Sequence, residues 1–86
     1  MKPYQLTIIY EVVEFFQQQN GRDRKTIDNA FEVLRQFPHD NKNLPERGPS
    51  GREYFVYLKG KYAIKYWIDE WENEVKIIDI RLRDPE

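Results

Sequence analysis

EYFVYLKGKYAIKYWIDEWENEVKIIDIRLR, residues 53–83, is the most regular part of the chain. It contains three runs in which side-chain type alternates with a period of two: residues 53–59, 61–67 and 74–83. Alternation of this kind is typical of half-buried strands. Gly60 indicates a tight turn between the first two runs, and residues 70–73 a turn between the next two. The stretch therefore predicts a three-stranded antiparallel meander.

The alternation assigns each strand residue to one of the two faces of the predicted sheet. One face is apolar and is predicted to be the core: Tyr54, Val56, Leu58, Tyr62, Ile64, Tyr66, Ile68, Ile78, Ile80 and Leu82. The other face mixes aromatic rings with charges, and we expect it to face solvent: Phe55, Tyr57, Lys59, Lys65, Trp67, Asp79, Arg81 and Arg83. Any binding or catalytic surface is expected on this second face.

Two stretches on the N-terminal side of the meander have the apolar periodicity of amphipathic helices. The first is predicted over about residues 7–19, because Asn20-Gly21 is a typical helix C-cap. The second is predicted to begin near Asp23, a good N-cap, and to end at Pro38. Its apolar stripe contains Ile27, Ala30, Phe31, Leu34 and Phe37.

The short link between these helices favours an antiparallel helical hairpin, and neither helix can bury its apolar stripe alone. We therefore expect the hairpin to pack on the apolar face of the sheet. The predicted fold is a single α+β domain over residues 1–86, with the hairpin packed on a three- to four-stranded antiparallel sheet. Residues 4–6 would supply the fourth strand, although Pro3 and the brevity of the run argue against it.

Composition restricts the classes of function. The 86 residues carry 14 Lys and Arg against 15 Asp and Glu, which gives a net charge of −1 and a pI near 5.9. This balance argues against a strongly basic nucleic-acid binder. There is no cysteine and no signal-peptide pattern, so we expect a cytoplasmic protein without disulfides. No apolar run approaches the roughly 20 residues of a membrane span, and no metal or cofactor motif is present, so we expect neither a membrane association nor a cofactor.

Residues 38–51 read PHDNKNLPERGPSG and are predicted to form a loop, because Pro, Gly, Asn and Asp dominate the segment. A loop of this length is often functional. Leu44 is its one apolar residue and is expected to pack against the core. His39 lies beside Asp40, but one histidine with one carboxylate is weak support for a metal or base site, so we assign it no role.

The order and spacing of these elements resemble those of the RelE/ParE toxin superfamily. The resemblance covers residues 23–83 and includes a Leu-Pro loop with Gly48 and Gly51 ahead of the meander. The family's middle strand follows the pattern Gly-x-Tyr-Arg-Ile-x-Tyr-x-Ile-Asp, which this chain matches at Gly60, Tyr62, Ile64, Tyr66, Ile68 and Asp69. Arg81 or Arg83 falls on the basic position that closes the last strand.

The resemblance implies a toxin of a bacterial type II toxin–antitoxin pair, kept inactive by a small antitoxin protein. In the ribosome-dependent branch of the family, basic side chains on the open face of the sheet help to cleave messenger RNA, and the gyrase-poisoning branch lacks them. The chain departs from the nuclease pattern, since Ala63 replaces the middle-strand Arg and Phe55 and Tyr57 stand in place of lysines. In addition, no Tyr follows the final Arg.

Cleavage of RNA through its 2′-hydroxyl requires a proton acceptor, a cation near the phosphorus and an acid for the leaving oxygen. The candidate catalytic residues are Lys65, Arg81 and Arg83. The candidate binding residues are Phe55, Tyr57, Lys59, Trp67 and Asp79. Alternatively, these charges only pair across strands, as Lys65 could with Asp79, and the aromatic rings seat a partner protein rather than stack bases.

Three hypotheses of function follow from the sequence. The first is a toxin that is inhibited by a small antitoxin. The second is a ribosome-dependent messenger RNA endoribonuclease that uses Lys65, Arg81 and Arg83. The third is a non-toxic relic or protein-binding module of the same fold. The sequence leaves open whether the chain is an enzyme, whether its target is the ribosome with its messenger RNA or gyrase, and what its oligomeric state is.

Overall fold

The meander predicted over residues 53–83 is present in the structure. This computed structural model describes residues 3–41 and 45–83, so the expectation for Leu44 lies outside the described residues. The described residues form seven elements: β1 (Gln5–Ile8), α1 (Tyr10–Gln17), α2 (Gly21–Gln36), β2 (Glu46–Arg47), β3 (Glu53–Lys59), β4 (Tyr62–Asp69) and β5 (Glu74–Leu82). The strands join in one sheet of order β1-β5-β4-β3-β2. The predicted α+β class is confirmed.

The sheet differs from the prediction in the number and direction of its strands. β1 pairs with β5 in parallel, and the other neighbouring strands are antiparallel, so the sheet is mixed and has five strands rather than three or four. β1 takes Thr7 and Ile8 from the predicted first helix, because β-branched residues favour a strand wherever a neighbour can pair with them. β2 lies within the predicted loop of residues 38–51.

α1 and α2 form the second layer, on one face of the sheet. α2 begins ahead of the predicted position because Asn20, not Asp23, is its N-cap, and the Asn20 side chain accepts a hydrogen bond from the Asp23 backbone N–H at 2.8 Å. α1 is short and contributes Val12 as its buried residue. No helix of the described segments is long and apolar enough to cross a membrane.

The core lies between the helices and the sheet. Two buried tyrosines extend across it with their hydroxyls satisfied, since Tyr66 donates to the Pro38 carbonyl and Tyr62 to the Gln19 side-chain carbonyl, each at 2.9 Å. Burial raises the pKa of Tyr66 far above the usual tyrosine range. The buried apolar residues of the described segments are Val12, Ile27, Ala30, Phe31, Leu34, Phe55, Tyr62, Ile64, Tyr66, Val75, Ile77 and Ile80.

The side of β3 that packs against the core is not the side that the sequence predicted. Phe55 pairs with Tyr66 and Tyr57 with Ile64, and directly opposed residues of an antiparallel pair share a face. Phe55 is 7% exposed, and its ring lies 5.8 Å from that of Tyr66. The expectation that Phe55 and Tyr57 face solvent is therefore wrong. The other alternate set of β3, predicted for the core, lies on the uncovered side: Tyr54, Val56 and Leu58.

The physical reason is that EYFVYLK has apolar residues on both sides of the strand, so its period of two did not show which side is buried.

β5 shows a second departure from the prediction. A bulge in this strand changes which of its alternate residues face the core. Lys65 lies opposite Asp79, but Tyr66 lies opposite Ile77, which makes Ile78 the extra residue and leaves it outside the core. Two further residues predicted for the core are exposed at the ends of their elements: Phe37 and Leu82.

Candidate functional site

The face of the sheet opposite the helices is the candidate functional site, and we call it the open face. Strand pairing places eleven side chains of the three central strands on it: Tyr54, Val56, Leu58, Ala63, Lys65, Trp67, Asp69, Glu74, Lys76, Asp79 and Arg81. Most of them are half-buried, because neighbours on a sheet shield one another. Apolar, aromatic and charged groups are thus mixed over one continuous surface.

The cations of the open face are held by carboxylates. The Lys65 Nζ lies 2.6 Å from Glu46 Oε1 of β2, so the short edge strand supplies its partner. The Arg81 guanidinium donates two hydrogen bonds to Asp79 Oδ2, at 2.7 and 2.9 Å. Lys76 Nζ lies 3.4 Å from an Asp69 oxygen and 3.7 Å from a Glu74 oxygen. Lys65 lies opposite Asp79, as the alternative of cross-strand charge pairs requires, but their ion pairs go to other partners.

The aromatic rings of the open face are covered by cations. The guanidinium carbon of Arg52 lies 3.8 Å from the centroid of the Trp67 ring, and Lys76 Nζ lies 5.1 Å from the same ring. Lys65 Nζ lies 5.2 Å from the Tyr54 ring. These distances are typical of cation–π contacts, which at exposed sites contribute about 0.5–1 kcal/mol each. The result is a row of aromatic rings and cations across β3, β4 and β5.

Solved structures that share this arrangement of helices and strands are RelE toxins and RelB–RelE complexes. A chain of the toxin–antitoxin complex RelBE2 from Mycobacterium tuberculosis has a TM-score of 0.79 at 22% identity, covering 95% of this chain and 100% of that chain. A chain of the archaeal RelE–RelB complex from Pyrococcus horikoshii has a TM-score of 0.79 at 16% identity, covering 99% and 100%. The isolated E. coli RelE toxin has a TM-score of 0.73 at 14% identity, covering 96% and 87%.

The chain has the RelE/ParE toxin fold. No protein-family model and no curated protein matches the sequence. The likeness therefore lies in the three-dimensional arrangement, and at these identities it establishes the fold alone. The middle-strand pattern noted in the sequence falls on β4 of this RelE/ParE fold.

The structure brings together half of the residues predicted for the site. Lys65, Trp67, Asp79 and Arg81 lie on the open face of the RelE/ParE fold. The remaining four lie elsewhere: Phe55, Tyr57, Lys59 and Arg83. Their functional roles, like those of the first four, stay predictions.

Each of these four residues has a definite place. Phe55 is buried and Tyr57 is half-buried on the helix side of the sheet, and Lys59 is at the exposed end of β3 on that same side. Arg83 follows β5, and its guanidinium donates to the Gly60 carbonyl at 3.1 Å. Arg83 therefore points toward the turn between β3 and β4, and its hydrogen bond links the end of β5 to that turn.

Sequence reasoning missed several residues of the open face. Tyr54 was assigned to the core because the orientation of β3 was predicted wrongly. Glu46 lies in the predicted loop and Arg52 directly after it, where no periodicity indicates the direction of a side chain. Lys76 alternates with Val75 and Ile77, so the run EVKI did contain the signal that could have placed it on the open face.

His39 has neighbours that the sequence did not indicate. Its Nε2 contacts Glu70 Oε1, and the Tyr4 hydroxyl donates to the two Glu70 oxygens at 3.1 and 3.2 Å. Burial and the Glu70 carboxylate raise the pKa of Tyr4. The cluster joins the start of β1, the segment after α2 and the turn between β4 and β5, so it stabilises one end of the domain.

A second polar cluster joins the helices to the other end of the meander. Lys61 Nζ lies 3.0 Å from Asp23 Oδ2, which lowers the pKa of Asp23 and raises that of Lys61. Asp23 is largely buried, and Lys61 lies in the tight turn between β3 and β4. This contact fixes the turn against the start of α2 and is structural.

The open face presents charged groups beside aromatic and apolar ones. Its ion pairs and cation–π contacts are exposed enough to exchange partners, because surface ion pairs contribute only about 0.2–1 kcal/mol. Within the described residues no group of three or more His, Cys, Asp or Glu side chains could hold a metal ion. The groups that this face presents are carboxylates, ammonium groups and a guanidinium group beside aromatic rings.

Proposed function

We propose that this chain is the toxin of a bacterial toxin–antitoxin pair and that a small antitoxin protein neutralises it by binding. The observation that carries the proposal is the extent of the likeness, since two chains from RelE–RelB complexes are covered over their whole length at a TM-score of 0.79.

The open face supports the proposal because its composition is that of a protein contact surface. Leu58 is exposed there, Trp67 and Tyr54 are half-buried, and none of the three is part of the core. Exposed apolar and aromatic groups within a polar rim are typical of protein interaction sites. Such a surface suits both a toxin's target and an antitoxin that covers it.

The test is growth of a bacterial host after induced expression of the chain alone and together with the product of the neighbouring gene. We expect arrest by the chain alone, normal growth on co-expression, and copurification of the two proteins as a complex. Normal growth with abundant soluble and folded protein would contradict the toxin proposal. Arrest that the neighbouring product does not relieve, with no complex formed, would contradict the antitoxin part.

A second candidate function is cleavage of messenger RNA on the ribosome. It is favoured by one observation, that Lys65, Asp79 and Arg81 lie on the same face of adjacent strands. A phosphate bound by Arg81 would compete with Asp79 for the guanidinium and release the carboxylate. Asp79 could then accept the 2′-hydroxyl proton while the 2′-oxygen attacks phosphorus, and Lys65 could donate a proton to the departing 5′-oxygen.

This second function is tested in a reconstituted translation reaction by mapping cuts in the messenger RNA. We expect cleavage by the wild type and its loss in the Arg81→Ala Arg83→Ala variant. Growth arrest without any cleavage would move the target away from messenger RNA and toward gyrase. Cleavage that persists in the double variant would remove these arginines from the mechanism.

A further inference from the structure

β5 has a partner strand along only half of one of its edges. β1 pairs with residues 74–77 of β5 and then ends, because the chain turns into α1 at Tyr10. β5 itself continues to Leu82. On the β1 side, no strand in the part of the chain that the structure describes pairs with residues 78–82. We call this segment the outer edge of β5.

The backbone groups of the outer edge have a defined direction. The Arg83 N–H donates to the Lys61 carbonyl at 2.8 Å, on the β4 side of β5. Inward and outward directions alternate along an antiparallel ladder, so Arg81 and Asp79 also direct their N–H and carbonyl groups to β4. Ile80 lies between them and directs its N–H and carbonyl away from β4. An edge of this kind is a template for another strand.

The outer edge carries one negative and one positive side chain, two residues apart. Asp79 and Arg81 lie on the open face, where their side chains are 38% and 74% exposed. The two pair with each other within the strand, since an Arg81 guanidinium nitrogen lies 2.7 Å from Asp79 Oδ2. Ion pairs this exposed contribute little and can exchange partners. A second strand with charges in the complementary order can therefore pair with them.

A second copy of the same edge has that order when it runs antiparallel. In a pairing centred on Ile80, the Ile80 backbone exchanges both N–H···O bonds with the partner's Ile80. Asp79 then lies opposite the partner's Arg81, and Arg81 opposite the partner's Asp79, which stabilises the pair. A pairing centred on Arg81 instead would place two arginines opposite each other, which is destabilising. The charges therefore select one register.

Exposed apolar side chains fit the same pairing. Leu82 is 56% exposed on the helix side of the sheet, and Ile9 and Tyr10, at the start of α1, are 39% and 70% exposed. The pairing brings the partner's Leu82 to the end of β1, where the Ile9 N–H donates to the Ile77 carbonyl. Contact of Leu82 with Ile9 and Tyr10 removes apolar area of both copies from water.

We propose that two copies of this chain associate through the outer edges of β5, about a two-fold axis perpendicular to the sheet. The two five-stranded sheets become one continuous sheet. Both open faces lie on the same side of it, because directly opposed residues of an antiparallel pair share a face. The ladder is short, since β1 occupies the edge as far as Ile77. The dimer is therefore weak, and it forms reversibly as the concentration rises.

Sedimentation velocity of the full chain over roughly a hundredfold range of concentration tests this inference. We expect a reversible monomer–dimer equilibrium for the wild type. Asp79→Arg and Arg81→Asp each place like charges opposite each other twice in the dimer, and each should weaken association by about tenfold or more. The Asp79→Arg Arg81→Asp variant has opposite charges again, in reversed order, and should associate like the wild type. An equimolar mixture of the two single variants should form a heterodimer.

Arg24→Asp is the matched control, since it reverses one exposed charge on α2, away from the outer edge, and should leave association unchanged. Hydrogen exchange measured by NMR gives a second readout at single amides. Exchange of the Ile80 amide should slow as the concentration rises. The Arg81 amide bonds to β4 within one copy and should be protected at every concentration. Circular dichroism checks that each variant is folded.

A wild type that stays monomeric at every concentration would overturn the proposal. Dimers that survive both single charge reversals would also overturn it, as would a folded double variant that does not associate or an Ile80 amide whose exchange is independent of concentration. The measurements need neither growth arrest nor an antitoxin. A negative result therefore leaves the toxin proposal untouched, and a failure of the toxin proposal leaves the dimer standing.

Discussion

The two faces of the sheet are built from similar residues but are held in different ways. On the helix side, Tyr62 and Tyr66 are completely enclosed, and each hydroxyl has a fixed partner. On the open face, Lys65 and Arg81 are held by carboxylates that water can reach. Packing holds the helix side, and its loss lowers the free energy of unfolding by several kcal/mol. The contacts of the open face contribute about 1 kcal/mol or less each. A ligand can therefore replace contacts on the open face without unfolding the domain.

The largest expected difference between the faces concerns two neighbours on β3. Phe55→Lys should lower the free energy of unfolding by about 3 kcal/mol or more, because it removes a buried ring and buries an ammonium group. Val56→Lys, one residue along on the open face, should lower it by only about 1 kcal/mol, mainly because the new charge lies opposite Lys65. Urea denaturation followed by circular dichroism measures both values. A larger loss for Val56→Lys would show that β3 faces the other way.

The next effect is the loss of one buried hydroxyl. Tyr66→Phe leaves the Pro38 carbonyl without its donor in the interior and should lower the free energy of unfolding by about 1–3 kcal/mol. Tyr54→Phe on the open face is the control with the same change of atoms, and we expect no measurable effect. Equal effects of the two substitutions in urea denaturation would contradict the contrast between the faces.

A smaller effect depends on pH. The Lys61 ammonium lowers the pKa of Asp23 in the folded chain, so the ionised carboxylate stabilises the fold above the usual aspartate range. That stabilisation should be lost progressively as pH falls through the lowered pKa, and Asp23→Asn should remove it at every pH. Denaturation of both proteins from neutral to acidic pH should give curves that converge on the acidic side. Parallel curves would rule out a stabilising Asp23–Lys61 pair.

The smallest effect is expected at the edge of the open face. Glu46→Gln removes the partner of Lys65 and should lower the free energy of unfolding by about 1 kcal/mol or less, and by less still in high salt because both groups are exposed. Thermal unfolding of the variant and the wild type at low and high salt measures the difference. A large loss that salt does not change would mean that the open face is as rigidly held as the core.

Much of the fold could be predicted because several patterns are unambiguous. β4 alternates clearly between apolar, buried positions and half-buried ones, which placed Lys65 and Trp67 on the open face and matched the middle strand of the RelE/ParE pattern. The stripe of α2 from Ile27 to Leu34 is equally clear, and it identified the helix that covers the sheet.

The rest depended on tertiary contacts that no local pattern contains. Thr7-Ile8 fits a helix or a strand, and the parallel partner in β5 selects the strand. β3 has apolar residues on both of its sides, and the bulge at Ile78 changes which residues of β5 face the core. The candidate site was accordingly predicted on β4 and in part on β5. Tyr54, Arg52 and Glu46 were missed because their positions depend on β3 and on the loop before it.

The most direct measurement is growth after induced expression of three proteins: the wild type, the Lys65→Ala Arg81→Ala variant of the open face, and an Arg24→Ala Lys25→Ala control. The control removes the same number of positive charges from exposed positions of α2. If the open face carries toxicity, the wild type and the control should arrest growth, and the open-face variant should not, at equal levels of folded protein. Arrest by the open-face variant as strong as that by the wild type would contradict the assignment of function to the open face.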